Sequence, residues 1–187
     1  MSESASAIAK QTRSFRQIHK WVSIPLFLFL FLIGITGLLL GWKKQSNLLP
    51  VTVKGLSNNS KEWLSIDSLQ NIAIRYSTDS LKLPDKIDRL DIRPSKGIMK
   101  IVFAQHFTEL QLDCSTGEIL SMNTRYSDIL EKIHDGSVID YLIQNSSDSV
   151  KLVYTTCVSL GLILLSFTGF WLWFNPIRIK KMKNVSK

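Results

Sequence analysis

Two long apolar runs without charge most limit what this chain can fold into. Residues 21–42, WVSIPLFLFLFLIGITGLLLGW, make 22 positions without a charged side chain, and residues 152–177, LVYTTCVSLGLILLSFTGFWLWFNPI, make 26. An α-helix needs about 20 apolar residues to cross the hydrocarbon of a bilayer. The sequence therefore predicts a membrane α-helical protein with two transmembrane helices, over residues 21–42 and 152–174.

The positive charge of the chain is confined to its two tails. Residues 1–20 hold four Lys or Arg and one Glu, residues 175–187 hold five Lys or Arg and no acid, and residues 43–151 hold 14 basic and 14 acidic side chains. Basic flanks of membrane spans remain in the cytoplasm. We therefore predict a membrane protein with both tails cytoplasmic and the middle outside. Short basic flanks are not a patch on a folded domain, so no nucleic-acid partner is expected.

The residues between the spans predict an extracytoplasmic α+β domain over 43–126. Helical spacing indicates a helix over about 66–77 with Ser65 or Asp67 as its N-cap, and alternation indicates four strands near 87–94, 97–104, 107–114 and 119–126. A meander of this kind gives an antiparallel sheet with one face covered by the helix.

Two flanking segments complete the expected organisation. Residues 127–144 return to helical spacing and predict one amphipathic helix on the outer membrane surface, joined by a linker that ends at 151. Residues 2–14 are small and polar and predict an unstructured tail, with helix beginning near Ser14. Cys114 falls in the outer domain and Cys157 in the second span, which is not a disulfide framework.

Three histidines are the side chains best suited to bind a redox metal in this setting. His19 lies at the cytoplasmic end of the first span and His134 near the outer end of the second, and a 22-residue helix is about 33 Å long. The two imidazoles cannot ligate one metal. A homodimer whose two-fold axis follows the membrane normal would pair each histidine with its own copy, giving two bis-imidazole pockets for haem iron.

Basic residues near each pocket are candidates for binding haem propionates. Arg16 and Lys20, with Arg13, lie near His19, and Lys132 or Lys151 lies near His134. The predicted cofactor-binding residues are therefore His19, His134, Arg16 and Lys20, with the two histidines as axial ligands.

Other interpretations of the same residues remain open. An interfacial histidine beside Lys and Trp is commonly a surface residue, His134 with Asp135 and Gly136 is typical of a helix stop, and His106 is typical of an exposed hairpin tip. The glycines at 34, 37 and 41, and Cys157, Gly161 and Thr168, are typical of close helix packing. The echo between ITGLLLGW (35–42) and FTGFWLWF (167–174) is weak and short enough to arise by chance.

The order of several short motifs resembles one known family. RQIHKW at 16–21, a span ending in TGLLLGW, LDCSTGEIL at 112–120, IHDGS at 133–137 and TGFWLW before a basic tail are similar to PepSY-associated transmembrane proteins, in the short form with two spans. The resemblance implies a protein of the bacterial cytoplasmic (inner) membrane with a PepSY-like domain over 61–126. From longer members it also implies haem b bound by His19 and His134 and ferric siderophore reduction outside the cytoplasmic membrane.

Two functions from different classes follow. The first is a homodimeric haem b redox protein, in effect a membrane-bound ferric (siderophore) reductase, that passes electrons from quinol or a protein donor to a ferric chelate. Its acceptor surface is expected on the helix 127–144 or the outer face of the sheet. The alternative is a membrane-anchored PepSY binding module that inhibits or chaperones an exported protease or other partner.

Overall fold

The computed structural model describes residues 3–144 and 147–185 and divides into two compact units. One comprises the residues up to Leu38 together with those from Lys132 onward, and the other is Leu39–Glu131. The helices are α1 (Glu3–Gly41), α2 (Ile66–Arg75), α3 (Tyr126–Asp135), α4 (Ser137–Leu142) and α5 (Ser149–Val185). The strands are β1 (Ile87–Arg93), β2 (Ile98–Phe103), β3 (Thr108–Asp113) and β4 (Ile119–Thr124).

Two helices are long and apolar enough to cross a membrane. Their apolar stretches are Ser6–Gly41 and Ser149–Met182, and only 6% and 17% of the most apolar window of each is buried. A helix in the core of a soluble protein would be mostly buried, so these faces are suited to lipid. The prediction of an unstructured tail over 2–14 is wrong for residues 3–14, because α1 already begins at Glu3, and residue 2 lies outside the described residues. No Gly or Pro interrupts the chain before Pro25, and residues of adequate helix propensity continue the helix toward the N-terminus.

α1 and α5 pack as an antiparallel pair. At one end the Asn175 amide donates a hydrogen bond to the Thr12 hydroxyl (Nδ2 to Oγ1, 3.1 Å). In the middle Gly161 gives room to Leu26, since a Cβ on this glycine would lie 2.1 Å from Leu26 Cδ1. Small residues of this kind allow two helices to approach closely in a membrane. Aromatic rings complete the contact, with Phe15 against Phe167 and Trp171, and Phe29 against Tyr154.

The central unit is an antiparallel sheet in the order β1-β2-β3-β4, with α2 packed on one face. Ser65 is the N-cap of α2 and accepts a hydrogen bond from the Ser68 amide at 3.1 Å, as predicted. Helix α2 ends at Arg75 and continues as a π-helical turn, Tyr76–Ser80. Alternate strand residues form the core with α2: Leu69, Ala73, Met99, Ile101, Phe103, Leu110, Leu112 and Cys114.

The second face of the two central strands is also buried, although it carries polar residues. Lys100 and Glu109 form an ion pair at 3.0 Å and are 3% and 0% exposed. The extended chain over 51–57 lies against this face. The Val53 amide donates to Gln111 Oε1 at 2.9 Å, and the Leu56 amide donates to the Asp113 carboxylate. This preceding segment therefore covers part of the second face and uses its polar side chains as hydrogen-bond partners.

The predicted single helix over 127–144 is two helices. α3 ends at Asp135 and α4 begins at Ser137, with Gly136 between them at φ 79°. A left-handed residue cannot continue a helix, and glycine adopts that conformation without a steric cost. The interpretation of this motif as a helix stop is therefore confirmed. Asp140 of α4 then accepts the Val150 and Lys151 amides at 3.1 and 2.7 Å and caps the start of α5.

Candidate functional site

His19 of α1 is held by a threonine of the opposite long helix. Its Nδ1 lies 2.7 Å from the Oγ1 of Thr168 on α5. The Thr168 hydroxyl also lies 2.7 Å from the carbonyl oxygen of Leu164 in its own helix, and Thr168 is only 2% exposed. The imidazole is thus fixed at one nitrogen within the helix pair.

His134 of α3 is held in the same way at the other end of α1. Its Nδ1 lies 2.9 Å from the Oγ1 of Thr36, which is 2.8 Å from the Leu32 carbonyl oxygen and 4% exposed. Because His134 lies just before the stop at Gly136, the end of α3 directs its ring onto α1. Each histidine is therefore joined to a threonine on a different helix.

These hydrogen bonds determine which imidazole nitrogen carries the proton. A threonine hydroxyl has one proton, and in both cases a backbone carbonyl within 2.8 Å accepts it. If Nδ1 carries a proton, it donates to the remaining lone pair of Oγ1, so that two hydrogen bonds form. If Nδ1 carries no proton, the hydroxyl can donate either to Nδ1 or to the backbone carbonyl but not to both. One hydrogen bond is then lost, at a cost of about 1 kcal/mol. The neutral histidines therefore carry the proton on Nδ1 and have a lone pair on Nε2.

A glycine follows each threonine and gives room for the imidazole. A Cβ added to Gly37 would lie 3.3 Å from His134 Cε1, and one added to Gly169 would lie 3.6 Å from His19 Cε1. The two Thr-Gly pairs are the common part of the echo between residues 35–42 and 167–174, so the residues of that echo have a structural role. Gly34 and Gly41, the other members of the predicted stripe, have no neighbour within 4 Å of an added Cβ.

Within the described residues, neither His19 nor His134 belongs to a cluster of side chains that could hold a metal ion alone. No three His, Cys, Asp or Glu side chains come together there. His19 and Thr36 are 17 positions apart on α1, which places the two histidine sites about 25 Å apart along the helix axis. One chain therefore offers one imidazole at each of two separate places, and a metal bound at either place needs further ligands from elsewhere.

The predicted propionate partners fall into two groups. Arg16, with Arg13 and Lys180, lines a cavity at the end of the helix pair that bears the chain termini, whereas exposed Lys20 lies outside that lining. Near His134, Lys151 forms an ion pair with Asp135 at 2.6 Å. Burial would raise the pKa of Asp135, but hydrogen bonds from Lys151 and Ser137 outweigh it and lower the pKa.

The remaining histidine, His106, has a structural role in the central unit. Its Nδ1 lies 2.7 Å from Thr108 Oγ1, its Nε2 lies 3.1 Å from the carbonyl oxygen of Pro84, and its ring stacks on Phe103. The residue lies at a hairpin turn, as predicted, but it is half-buried rather than exposed. Both ring nitrogens are engaged, so this histidine differs from His19 and His134.

A cleft lies beside β4 in the central unit. The cleft has a volume of about 410 Å³ and is lined by Leu81 and Leu83, by Thr108 of β3, and by the end of β4 with Tyr126. β4 is an edge strand and has a sheet neighbour on one side only. Nothing in the sequence pattern indicated this cleft, because it depends on how the π-helical turn after α2 packs beside the sheet.

The comparison with protein families gives one match. The model described as PepSY-associated TM region matches residues 16–186. No curated protein and no solved structure matches the chain. The match includes both long apolar helices and the sheet between them, which makes this a membrane-associated protein. The resemblance stated from the motifs is confirmed: the chain belongs to the family defined by the PepSY-associated transmembrane region.

Proposed function

We propose that the protein is a homodimeric haem b protein of the bacterial cytoplasmic membrane that passes electrons across the bilayer. His19 and His134 would hold the haem iron, each together with its copy in the second subunit. A haem between two imidazoles supplies a one-electron iron couple. Both tails lie in the cytoplasm and the central unit lies outside, because the excess positive charge is on the two tails.

The observation that carries the proposal is the repeated His-Thr hydrogen bond. At 2.7 and 2.9 Å, each threonine fixes the Nδ1 proton of a histidine that has no described partner at Nε2. This fits a haem ligand, because metal-bound histidines usually donate the other ring N–H to an oxygen that fixes their tautomer and orientation. A porphyrin brings four further ligands, which suits places where the chain offers a single imidazole.

The role of the chain's own residues follows from their positions. Thr36 and Thr168 orient the two imidazoles, the apolar faces of α1 and α5 exclude water, and Arg16 and Lys20 bind propionates. A flavin or nicotinamide motif is absent from the sequence, so the electron donor is quinol or a separate protein. The acceptor is a ferric siderophore or a similar iron chelate on the outer side.

The test is the absorption spectrum of the full chain purified in detergent after expression with adequate haem. We expect a sharp Soret band that shifts on reduction. The His19→Ala and His134→Ala variants should each lose half of the haem. His106→Ala is the matched control, because both nitrogens of that ring are already engaged within the central unit, and it should keep the wild-type spectrum.

A colourless wild-type protein would contradict the proposal. So would an equal haem content in all three histidine variants. A strictly monomeric protein with bound haem would contradict the pairing of like histidines and leave only ligation by a different partner.

A second function is favoured by the cleft beside β4. An exposed strand edge next to a cavity can accept an extended peptide as an added strand. Met122 and Tyr126, which line the cleft, are 46% and 57% exposed and offer apolar contacts. This supports the alternative of an anchored PepSY module that binds an exported protein, for example a protease.

This alternative is tested by cross-linking to exported proteins from photoreactive residues placed in the cleft. Asn123, in the cleft, is the test position, and Asp88, on the opposite edge strand β1, is the control. A defined exported partner captured from position 123 alone supports it. Equal capture from both positions, or none from either, argues against it.

A further inference from the structure

A cavity at the end of the helix pair that bears the chain termini is a candidate binding site outside the histidine sites. Its volume is about 570 Å³. Arg13 and Arg16 from α1 and Lys180 from α5 give it three cations, and Pro176 and Ile179 give it apolar walls. Cations and apolar surface are thus combined in one concave site between two helices.

The walls of this cavity are fixed by a buried hydrogen bond. Thr12, which lines the cavity, accepts from the Asn175 amide at 3.1 Å and donates to the Ile8 carbonyl at 2.7 Å. Thr12 and Asn175 are 8% and 0% exposed. A bond shielded from water in this way resists sliding of the two helices. The cavity is therefore built into the helix pair before any ligand binds.

The three cations have no acidic partner in the part of the chain whose side chains the structure describes. None of Arg13, Arg16 and Lys180 is in an ion pair there. Three like charges around one concave surface create a local positive potential that attracts an anion. Guanidinium groups match the geometry of phosphate oxygens, because they donate parallel hydrogen bonds.

The depth of the cations along the helices matches the position of lipid phosphates. Arg16 and Arg13 precede Trp21, where the apolar run begins, by five and eight residues, or about 7 and 12 Å of helix. Lys180 follows Ile177, the last residue of the other run, by three positions. The headgroup region extends about 5–8 Å beyond the hydrocarbon on each side. The cations therefore lie within the headgroup layer or a few ångströms beyond it, on the side away from the hydrocarbon.

We propose that this cavity binds the phosphate headgroup of an anionic phospholipid. Arg13 and Lys180 bind the phosphate oxygens, the charge of Arg16 adds to the positive potential of the cavity, and Pro176 and Ile179 pack against the glycerol and the first acyl carbons. Basic pockets between transmembrane helices on the cytoplasmic side bind lipids with two phosphates. Three cations suit such a diphosphate lipid better than one with a single phosphate. Free inorganic phosphate has no apolar part, so the apolar walls would not strengthen its binding.

The experiment is native mass spectrometry of the full chain released from detergent, with added cardiolipin, phosphatidylglycerol, phosphatidylcholine or inorganic phosphate. The test variant is Arg13→Gln with Lys180→Gln, which leaves Arg16, the propionate candidate, unchanged. The control is Lys10→Gln with Lys181→Gln. This pair also removes one charge from α1 and one from α5, but both residues are exposed and outside the cavity lining.

We expect retained cardiolipin on the wild type and the control, weaker retention of phosphatidylglycerol, and little phosphatidylcholine. The test variant should bind cardiolipin about 10-fold more weakly or worse. Equal losses in both double variants would mean diffuse attraction to the basic tails and would overturn the proposal. Displacement of cardiolipin by millimolar inorganic phosphate would overturn it in favour of a free-anion site.

Discussion

At the scale of single residues, Thr36 and Thr168 are as informative as the histidines they contact. A threonine in a helix often donates its proton to a preceding carbonyl, and both threonines do so. The two hydroxyl oxygens can then only accept a hydrogen bond from the imidazole that each of them contacts. This selects one tautomer of each imidazole without a charged partner, which suits a site near lipid because a buried carboxylate would cost far more to desolvate.

The first prediction concerns these two hydroxyls. Thr36→Val and Thr168→Val keep the side-chain shape but remove the acceptor, so Nδ1 loses its partner and the ring its orientation. Loss of such an outer partner typically weakens metal binding by about 10–100-fold, and we expect haem affinity to fall within that range at the affected site. The measurement is haem titration of the purified apo-chain.

The matched controls are Thr36→Ser and Thr168→Ser, which keep the hydroxyl. They should retain near wild-type affinity and reduction potential. If valine and serine variants bind haem equally well, the hydroxyls do not position the histidines.

The second prediction uses the unequal space at the two glycines. Gly37→Ala would place a Cβ 3.3 Å from the His134 ring, closer than such contacts normally are, whereas Gly169→Ala would place one at an ordinary 3.6 Å from His19. The His134 ring must therefore shift by a few tenths of an ångström, and the His19 ring need not. We expect Gly37→Ala to change the electron paramagnetic resonance signal of its haem and Gly169→Ala to leave it unchanged. Identical signals in both variants would contradict the geometry.

At the scale of elements, the polar face of the sheet depends on the ionisation of one carboxylate. Burial raises the pKa of Asp113, but hydrogen bonds from the backbone amides of Leu56, Thr116 and Ser115 outweigh burial and lower the pKa. A carboxylate whose pKa is depressed in the folded state stabilises the fold above its ordinary pKa. That stabilisation is lost as the pH falls through the folded value. The attachment of the chain over 51–57 is therefore acid-sensitive.

The third prediction follows from the lowered pKa of Asp113. Asp113→Asn should lower the stability of the full chain at pH 7 by about 2 kcal/mol, because charge-assisted hydrogen bonds are lost. The difference from wild type should shrink as the pH falls below about 4, where Asp113 itself becomes protonated. Thermal unfolding at several pH values in one detergent is the measurement. Glu118→Gln, at the exposed end of the same turn, should change little, and a constant Asp113→Asn effect down to pH 2 would contradict the prediction.

Much of the element pattern was predictable because each element has a strong local period. The four strands alternate, and their observed ends lie within two residues of those predicted. Tertiary features were not predictable in this way. The segment over 51–57 lacks a period of its own and is ordered by Gln111 and Asp113, far along the chain. The His-Thr pairs likewise join residues 149 and 98 positions apart, although the Thr-Gly echo was a visible signal of them.

At the scale of the whole molecule, the proposal requires a second copy. Each chain carries one imidazole per end, so two chains make two pockets and the expected ratio is one haem per chain. In the proposed homodimer both ligands of a pocket are copies of the same residue. A single substitution in the chain therefore removes both ligands of that pocket.

The fourth prediction is therefore one of stoichiometry. His19→Ala and His134→Ala should each reduce haem content from one per chain to one half, and the double variant should bind none. Haem and chain concentrations measured on the same dimeric fraction give the ratio. A single variant that loses all haem would mean that the two sites are not independent, and one that loses none would exclude that histidine.

Helix α1 carries one of the proposed haem-binding histidines and also the threonine that holds the other histidine. α1 carries His19 at one end and Thr36 at the other, while their partners lie on α5 and α3. Sliding α1 lengthwise by a single helical rise, about 1.5 Å, would stretch both contacts together. The two histidine contacts are therefore coupled through α1, and a single displacement of this helix along its axis would alter the orientation of both imidazole rings together.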